Sequence, residues 1–535
     1  VGEGAAGSQA CLAADDRKLG YISRVGSHYE SGKTVKKKLV ITALSLSAFT
    51  LACCVLVFYA PATGRQREVW RSNRFHWLDG DSSWIAGNVL LIGGYKGGPC
   101  FCLYALDKNT GWEVWSTEAL MAPYIEEQQR TDPDSPISPS AEFVGLSPTQ
   151  DLVYILANYK ALIALDTATG QVRWKQDIRE MGIYSLQDAI TENEFYAIDR
   201  DQNLIALKSS DGQVIWKQPL GLSEDDNVWL EYQAERIFTK IMLASGGAKV
   251  ISFKARSGEK ISEITERTVA LTVVAGDTLI VNNADSQQEA ALYLTGFDIP
   301  SGQELWEEQL GLRPYDNHKM KPPIVMGGEV YLHIETVRDA KGYSSLLVFD
   351  QKTGIKRWSF NDDFSRGEVS FLVQGDAVYM SVEDGWLYAL DRFNGTELWK
   401  NKAPGLAAHL WVVEDTLYAS FKHFTLQAIN AANGQLRWEF HEQEISPIKQ
   451  RLFSDPYLIY QSGTAYVETG KPKIFAIDPE TGTVTWTWQH NQFVQWYSNL
   501  LPMSMGYSIV ASDNDKLYVL ANGNCDVFLV ALDAR

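Results

Sequence analysis

The strongest constraint on this chain is a phrase that it repeats. Leu387–Leu390 is an apolar run that ends in Asp391; a short turn closes on Gly395, and a second run ends in Trp399. Four or five apolar residues in a row fit a strand covered on both faces. The aspartate can accept hydrogen bonds from backbone N–H groups of the turn that follows. The glycine takes a positive φ that a β-carbon would penalise. The second run alternates, so the tryptophan four residues after the glycine points to one fixed side. A large indole repeated at that place predicts docking between neighbouring units.

The phrase recurs with Gly111 and Trp115, Gly170 and Trp174, Gly212 and Trp216, Gly302 and Trp306, Gly354 and Trp358, Gly434 and Trp438, and Gly482 and Trp486. Lys208 replaces the aspartate in one copy, and Ser262 stands where tryptophan should follow Gly258. A last copy, Leu529–Asp533, stops two residues before the chain end. Glycine-to-glycine spacings run from 39 to 59 residues. A period of that size, with four short strands per unit, predicts propeller blades. One blade parses as strands at Glu368–Val373, Ala377–Val382, Trp386–Leu390 and Thr396–Lys400. The final unit lacks its outer strand, and Arg67-Glu68-Val69-Trp70 resembles it. Pairing the two would close the ring and remove both open edges.

Ala105-Leu106-Asp107 with Thr110-Gly111 and Trp115, Ala164-Leu165-Asp166 with Thr169-Gly170 and Trp174, and Ala476-Ile477-Asp478 with Thr481-Gly482 and Trp486 resemble the tryptophan-docking motif of the PQQ-like propeller repeat family. The resemblance covers residues 67–535 and implies an all-β fold, a single PQQ-like β-propeller of about 8–10 four-stranded blades. The family includes quinoprotein dehydrogenases and BamB-type envelope assembly lipoproteins, so fold alone does not choose the function. In the enzymes, the resemblance implies a vicinal disulfide over a quinone, a calcium site of Glu and Asn, and an aspartate base. The adjacent cysteines here are Cys53 and Cys54, inside an apolar run.

That run, Leu39–Tyr59, carries no charge and follows Lys36, Lys37 and Lys38. At about 1.5 Å per residue it is long enough to cross a bilayer core, and the basic residues favour a cytosolic N-terminus. Three fates are open: a transmembrane signal anchor over 39–60, cleavage after Ala60-Pro61-Ala62, or a lipoprotein at Leu51-Ala52-Cys53-Cys54. Residues 1–38 read as a disordered cytosolic tail or as an over-extended start upstream of Val35. The expected location is the cytoplasmic membrane, single-pass, with the propeller on the extracytoplasmic side. A net charge of −18 disfavours nucleic acid and anionic lipid as partners.

No H-E-x-x-H, G-x-S-x-G, phosphate loop or C-x-x-C-H occurs. Asp199-Arg200-Asp201-Gln202-Asn203 and Asp513-Asn514-Asp515 have the oxygen ligands calcium needs, but each also reads as a hairpin turn. Cys100 and Cys102 precede the motif strand of the first blade, and Cys525 that of the last. A bridge from Cys525 to either would staple the closure seam, whereas three separate thiols are the alternative. Trp70, Trp77, Trp84, Trp112, Trp229, Trp386, Trp411, Trp488 and Trp496 lie outside the docking position, where core packing is the default. The reading is a membrane-anchored, non-catalytic scaffold with no cofactor, offering a propeller face to a protein or peptide. The alternative is a PQQ- and calcium-dependent oxidoreductase.

Overall fold

The computed structural model describes residues 67–534, apart from 73–74, 133–137, 180–184, 224, 245–246, 267–270, 285–291, 311–316, 321, 339–340, 363–368, 422–424, 442–456, 462, 469–472, 489–505, 514 and 523–526. The segment 39–60, Cys525 and Trp496 lie outside the described residues. Among the described residues no helix is long and apolar enough to cross a membrane.

The described chain forms ten antiparallel sheets, each a propeller blade built from consecutive strands except the last. In chain order, sheet 1 runs from Trp77–Ala86 to Glu113–Ser116, sheet 2 from Ala141–Leu146 to Val172–Asp177, and sheet 3 from Ser185–Ile190 to Val214–Pro219. Sheet 4 runs from Asn227–Gln233 to Lys260–Glu266, sheet 5 from Leu271–Ala275 to Gln303–Gln309, and sheet 6 from Asn317–Met320 to Lys356–Asp362. Sheet 7 runs from Val369–Gln374 to Glu397–Lys402, sheet 8 from Ala407–Val413 to Leu436–His441, and sheet 9 from Tyr457–Gln461 to Val484–Trp488. Sheet 10 joins three C-terminal strands, Gly506–Ser512, Lys516–Asn522 and Val527–Asp533, to the N-terminal strand Glu68–Arg71. Ten sheets match the repeat count and exceed the eight blades usual for the family. Sheet 6 departs from the four-stranded expectation: Ile324–Met326 pairs as a fifth strand with Glu329–Arg338.

Two compact units are distinguished. Unit 1 holds residues 1–139, 459–478 and 484–535; unit 2 holds 140–458 and 479–483. Unit 1 therefore contains sheets 10 and 1 and most of sheet 9, and unit 2 contains sheets 2–8.

Register explains the repeated phrase. Each docking tryptophan faces a small or slim residue on the third strand: Trp115 opposite Ala105, Trp174 opposite Ala164, Trp216 opposite Ala206, Trp306 opposite Gly296, Trp358 opposite Val348, Trp399 opposite Ala389, Trp438 opposite Ala428 and Trp486 opposite Ala476. The register slips by one residue immediately beyond, a bulge that sharpens the twist. In most sheets a tyrosine of the second strand sits across the same slim residue, such as Tyr379 opposite Ala389 and Tyr418 opposite Ala428. The tyrosine and indole ring centroids then lie 5.8–6.5 Å apart. A larger central residue would force these two rings apart. In sheet 5, where Ile280 takes the place of the tyrosine, a β-carbon at Gly296 would still lie 2.4 Å from the Trp306 ring.

The turn also behaves as its chemistry requires. Gly395 N–H donates to the Asp391 carbonyl, and the Asp391 carboxylate accepts the Phe393 and Asn394 N–H groups. The same network recurs at Asp107, Asp166 and Asp350. The Thr169 hydroxyl and the Arg173 guanidinium hold the Asp166 carboxyl below its usual range. The Arg357 guanidinium is the main cause that brings Asp350 down to about 2.

In unit 1, Glu68–Arg71 pairs antiparallel with Val527–Asp533, and Trp70 stands opposite Ala531. Trp70 thereby occupies the docking position of sheet 10, which corrects its placement among the non-docking tryptophans. Its phase within the N-terminal strand, not its distance from a glycine, sets the role. Its ring lies over Gly111, where a β-carbon would come within 2.3 Å, and its Nε1–H donates to the Lys108 carbonyl at 2.9 Å. Trp488, also outside the docking position, is fully buried and donates to the Glu68 carboxylate. Deleting Glu68–Arg71 removes both anchors and leaves Val527–Asp533 as a bare edge. Denaturant titration should register a loss of about 3–5 kcal/mol or more, the usual cost of losing one buried tryptophan; an unchanged midpoint contradicts the pairing.

Candidate functional site

Three features depart from the repeat or carry unusual chemistry: the docking junctions, a buried ion-pair network and one decorated sheet end. In unit 2 the junctions are regular. The Nε1–H of Trp174 donates to the Ser209 carbonyl, Trp216 to Ala255, Trp306 to Gln351, Trp358 to Arg392, Trp399 to Ala431 and Trp438 to Pro479, all at 2.7–3.0 Å. Each acceptor is the first turn residue after the motif strand of the next sheet. Each of these indoles likewise covers a motif glycine, as Trp306 covers Gly354 and Trp358 covers Gly395. Trp306, Trp358, Trp399 and Trp438 are buried, as is Trp115; Trp174, Trp216 and Trp486 are half-buried. Trp486 packs against Tyr466, with the Arg67 guanidinium over its ring.

The network lies between sheets 6 and 7. Glu329 is 1% exposed and accepts from Tyr331 Oη at 2.6 Å, Arg392 Nε at 2.8 Å and Arg357 Nη1 at 3.3 Å. Burial, then the Glu329 carboxylate, pushes the Tyr331 phenol well above its ordinary value. Arg392 also donates to the carbonyls of Gly375 and Met326, while its own carbonyl receives the Trp358 indole. The contacts of Arg392 with Glu329 and Met326, and of Trp358 with Arg392, join the two sheets. Such a network is a latch, and removing one partner of a buried pair typically costs about 3–5 kcal/mol.

The decorated end belongs to sheet 1 in unit 1. The strands Trp77–Ala86, Val89–Tyr95 and Cys102–Asp107 bring Trp77, Tyr95 and Phe101 together, with ring centroids 5.6–6.2 Å apart. Gly94 permits the approach, since a β-carbon there would lie 2.4 Å from the Trp77 carbonyl oxygen. Trp77 remains 38% exposed, beside exposed His76, while Tyr95 and Phe101 are half-buried. Phe101 is flanked by Cys100 and Cys102, which are buried and bonded to each other. Its N–H donates to the Pro139 carbonyl at 3.0 Å. Helix α1, Glu118–Thr131, follows the outer strand and buries Met121 and Tyr124. Tyr104 Oη donates to Glu118 at 2.8 Å; burial, then that carboxylate, raises its phenol. Lys96 pairs with Glu113 and lies over the Phe75 and Tyr104 rings.

This end was not foreseen from the sequence. The usable signal was the widest glycine spacing, 59 residues from Gly111 to Gly170, which α1 occupies. Neither alternative for Cys100 and Cys102, a staple to Cys525 or separate thiols, is what the structure has. Cys100 and Cys102, with Cα atoms 5.6 Å apart, satisfy each other, so neither bridges to Cys525.

Both calcium candidates act as turns. Asp199 accepts the Asn203 backbone and side-chain N–H groups and pairs with Lys217 at 2.6 Å, so an ammonium already neutralises it. Asp513 accepts from the Asp515 and Lys516 N–H groups and from Tyr518 Oη. Among the described residues no His, Cys, Asp and Glu group has metal-ligand geometry. Of the other tryptophans, Trp112 is 74% exposed, Trp229 is exposed, and Trp84, Trp386 and Trp411 are half-buried. The aromatic trio of sheet 1 can hold an apolar or aromatic side chain by ring contact.

A family model described as "Outer membrane protein assembly factor BamB" matches residues 55–221, 101–268 and 342–493. No curated protein matches the chain. Among solved structures, BamB from Moraxella catarrhalis is 16% identical, with 65% of this chain and 96% of that one covered and a TM-score of 0.34. A europium-containing methanol dehydrogenase is 12% identical, with 64% and 89% covered and a TM-score of 0.34. The quinohemoprotein alcohol dehydrogenase from Comamonas testosteroni is 13% identical, with 63% and 72% covered and a TM-score of 0.30. Such distant likenesses say nothing of activity.

Non-reducing peptide mapping should recover Cys100-Phe101-Cys102 as one intact disulfide loop. A peptide from around Cys525 linked to either cysteine contradicts that pairing.

Proposed function

The chain belongs to the PQQ-repeat family described as outer membrane protein assembly factor BamB, and from that premise we propose that it is a non-catalytic scaffold that binds a protein or peptide partner. The observation that carries this reading is the Trp77, Tyr95 and Phe101 cluster, solvent-facing at Trp77 and backed by the Cys100–Cys102 disulfide. Rigid aromatic side chains supply much contact area at little entropic cost, which is why they dominate binding hot spots. The uncharged run at Leu39–Tyr59, preceded by three lysines, supports tethering to the cytoplasmic membrane with the sheets outside. The −18 charge supports partners other than nucleic acid.

The test uses the full chain in detergent and a displayed library of random twelve-residue peptides. Clones selected on the native protein should bind Trp77→Ala or Phe101→Ala about thirtyfold more weakly, the effect of losing a hot spot near 2 kcal/mol. Clones that bind native and variant protein equally contradict the site. Dye-coupled alcohol oxidation after addition of PQQ and calcium contradicts the non-catalytic reading.

A further inference from the structure

In unit 2 one junction between neighbouring sheets lacks the indole. At the boundary of sheets 4 and 5 the docking position is Ser262, opposite Ser252. The two hydroxyls bond to each other at 2.7 Å, so Ser262 spends its polar group inside sheet 4. Gly302 keeps the positive φ of the motif, but the nearest atom to a β-carbon there would be Ser262 Cβ at 3.3 Å. The tyrosine of the second strand is replaced by Phe238, which stands opposite Ser252.

The seam that remains is apolar: Phe238, Val250 and Ile264 from sheet 4 meet Val274, Leu279, Val281 and Phe297 from sheet 5. Thr295 is two residues from Phe297 on the same strand and so shares its face. Its hydroxyl is buried and has no partner, which weakens the seam further. Polar contacts stand in for the indole bond. Arg236 pairs with Asp277 at 2.6 Å, and Lys240 Nζ donates to the Thr272 carbonyl at 3.4 Å. The Asp277 side chain is 66% exposed, so its pair with Arg236 is weak and screened by salt.

We propose that unit 2 opens locally at the seam between sheets 4 and 5, and that the Arg236–Asp277 pair makes this opening salt-sensitive. Local opening draws on the least stable contacts of a fold. Here those contacts lie at one boundary, while the boundaries on either side, at Trp216 and Trp306, keep their indole bonds.

Alkylation of single engineered cysteines in the otherwise native full chain tests this, read by peptide mass. Val281→Cys reports on the seam, and Ala419→Cys holds the matching position at the boundary of sheets 7 and 8, where Trp399 docks. At low salt the Val281→Cys thiol should react at least about tenfold faster, corresponding to about 1.4 kcal/mol. Its rate should rise severalfold in 0.5 M salt, and Arg236→Gln should remove that rise. If either cysteine variant fails to fold, Leu279→Cys and Leu417→Cys take their places. Equal rates at the two boundaries overturn the opening, and a faster but salt-independent rate overturns the role of the ion pair.

Discussion

One contact is repeated from junction to junction: an indole laid over a glycine of the next sheet, with its N–H bonded to the carbonyl beside that turn. The two halves of the contact need each other. The aspartate-capped turn fixes the glycine at φ near +70° and aims the carbonyl outward. The missing β-carbon leaves room for the ring, since a β-carbon there would lie only 2.3–2.7 Å from the indole. Burying the ring without a bond for its N–H would leave a polar group stranded at a cost of about 1–3 kcal/mol. Adding the bond makes docking favourable and sets one angle of approach.

The contact also dictates what must be small. Alanine, valine or glycine sits between each docking tryptophan and the opposing side chain of the second strand, and tyrosine fills that opposing place in most sheets. Sheet 10 obeys the same rule with parts from both ends of the chain, Tyr518 and Ala531 from the C-terminus and Trp70 from the N-terminus. Sheets 6 and 7 add the Glu329–Arg392 latch, built on the residue whose carbonyl receives the Trp358 indole. The aromatic end of sheet 1, proposed as the binding site, is built from residues that the junctions do not use.

What was legible in the sequence was local. The turn, the glycine and the tryptophan lie within about a dozen residues, and each has its own stereochemical reason. The strand predicted at Ala377–Val382 is present at those bounds, and the others in that sheet differ by one or two residues at their ends. The tyrosine column was not legible, because it depends on a register set by pairing across two strands. Trp70 was misplaced because its role comes from pairing with Ala531, distant in sequence. The Cys100–Cys102 bond was not legible because two cysteines separated by one residue give no sign in the sequence of whether the local backbone brings their sulfurs together. The aromatic site stayed hidden because Trp77 and Tyr95 come from two strands and Phe101 from just before a third, and they share no spacing.

The indole N–H groups report on the central contact directly. With tryptophan labelled by nitrogen-15, hydrogen exchange at each Nε1–H can be followed by NMR in native buffer. The account predicts slow exchange for Trp70, Trp174, Trp216, Trp306, Trp358, Trp399 and Trp438, whose N–H groups are bonded across junctions, and fast exchange for exposed Trp112. Docking indoles that exchange as fast as Trp112 would contradict it.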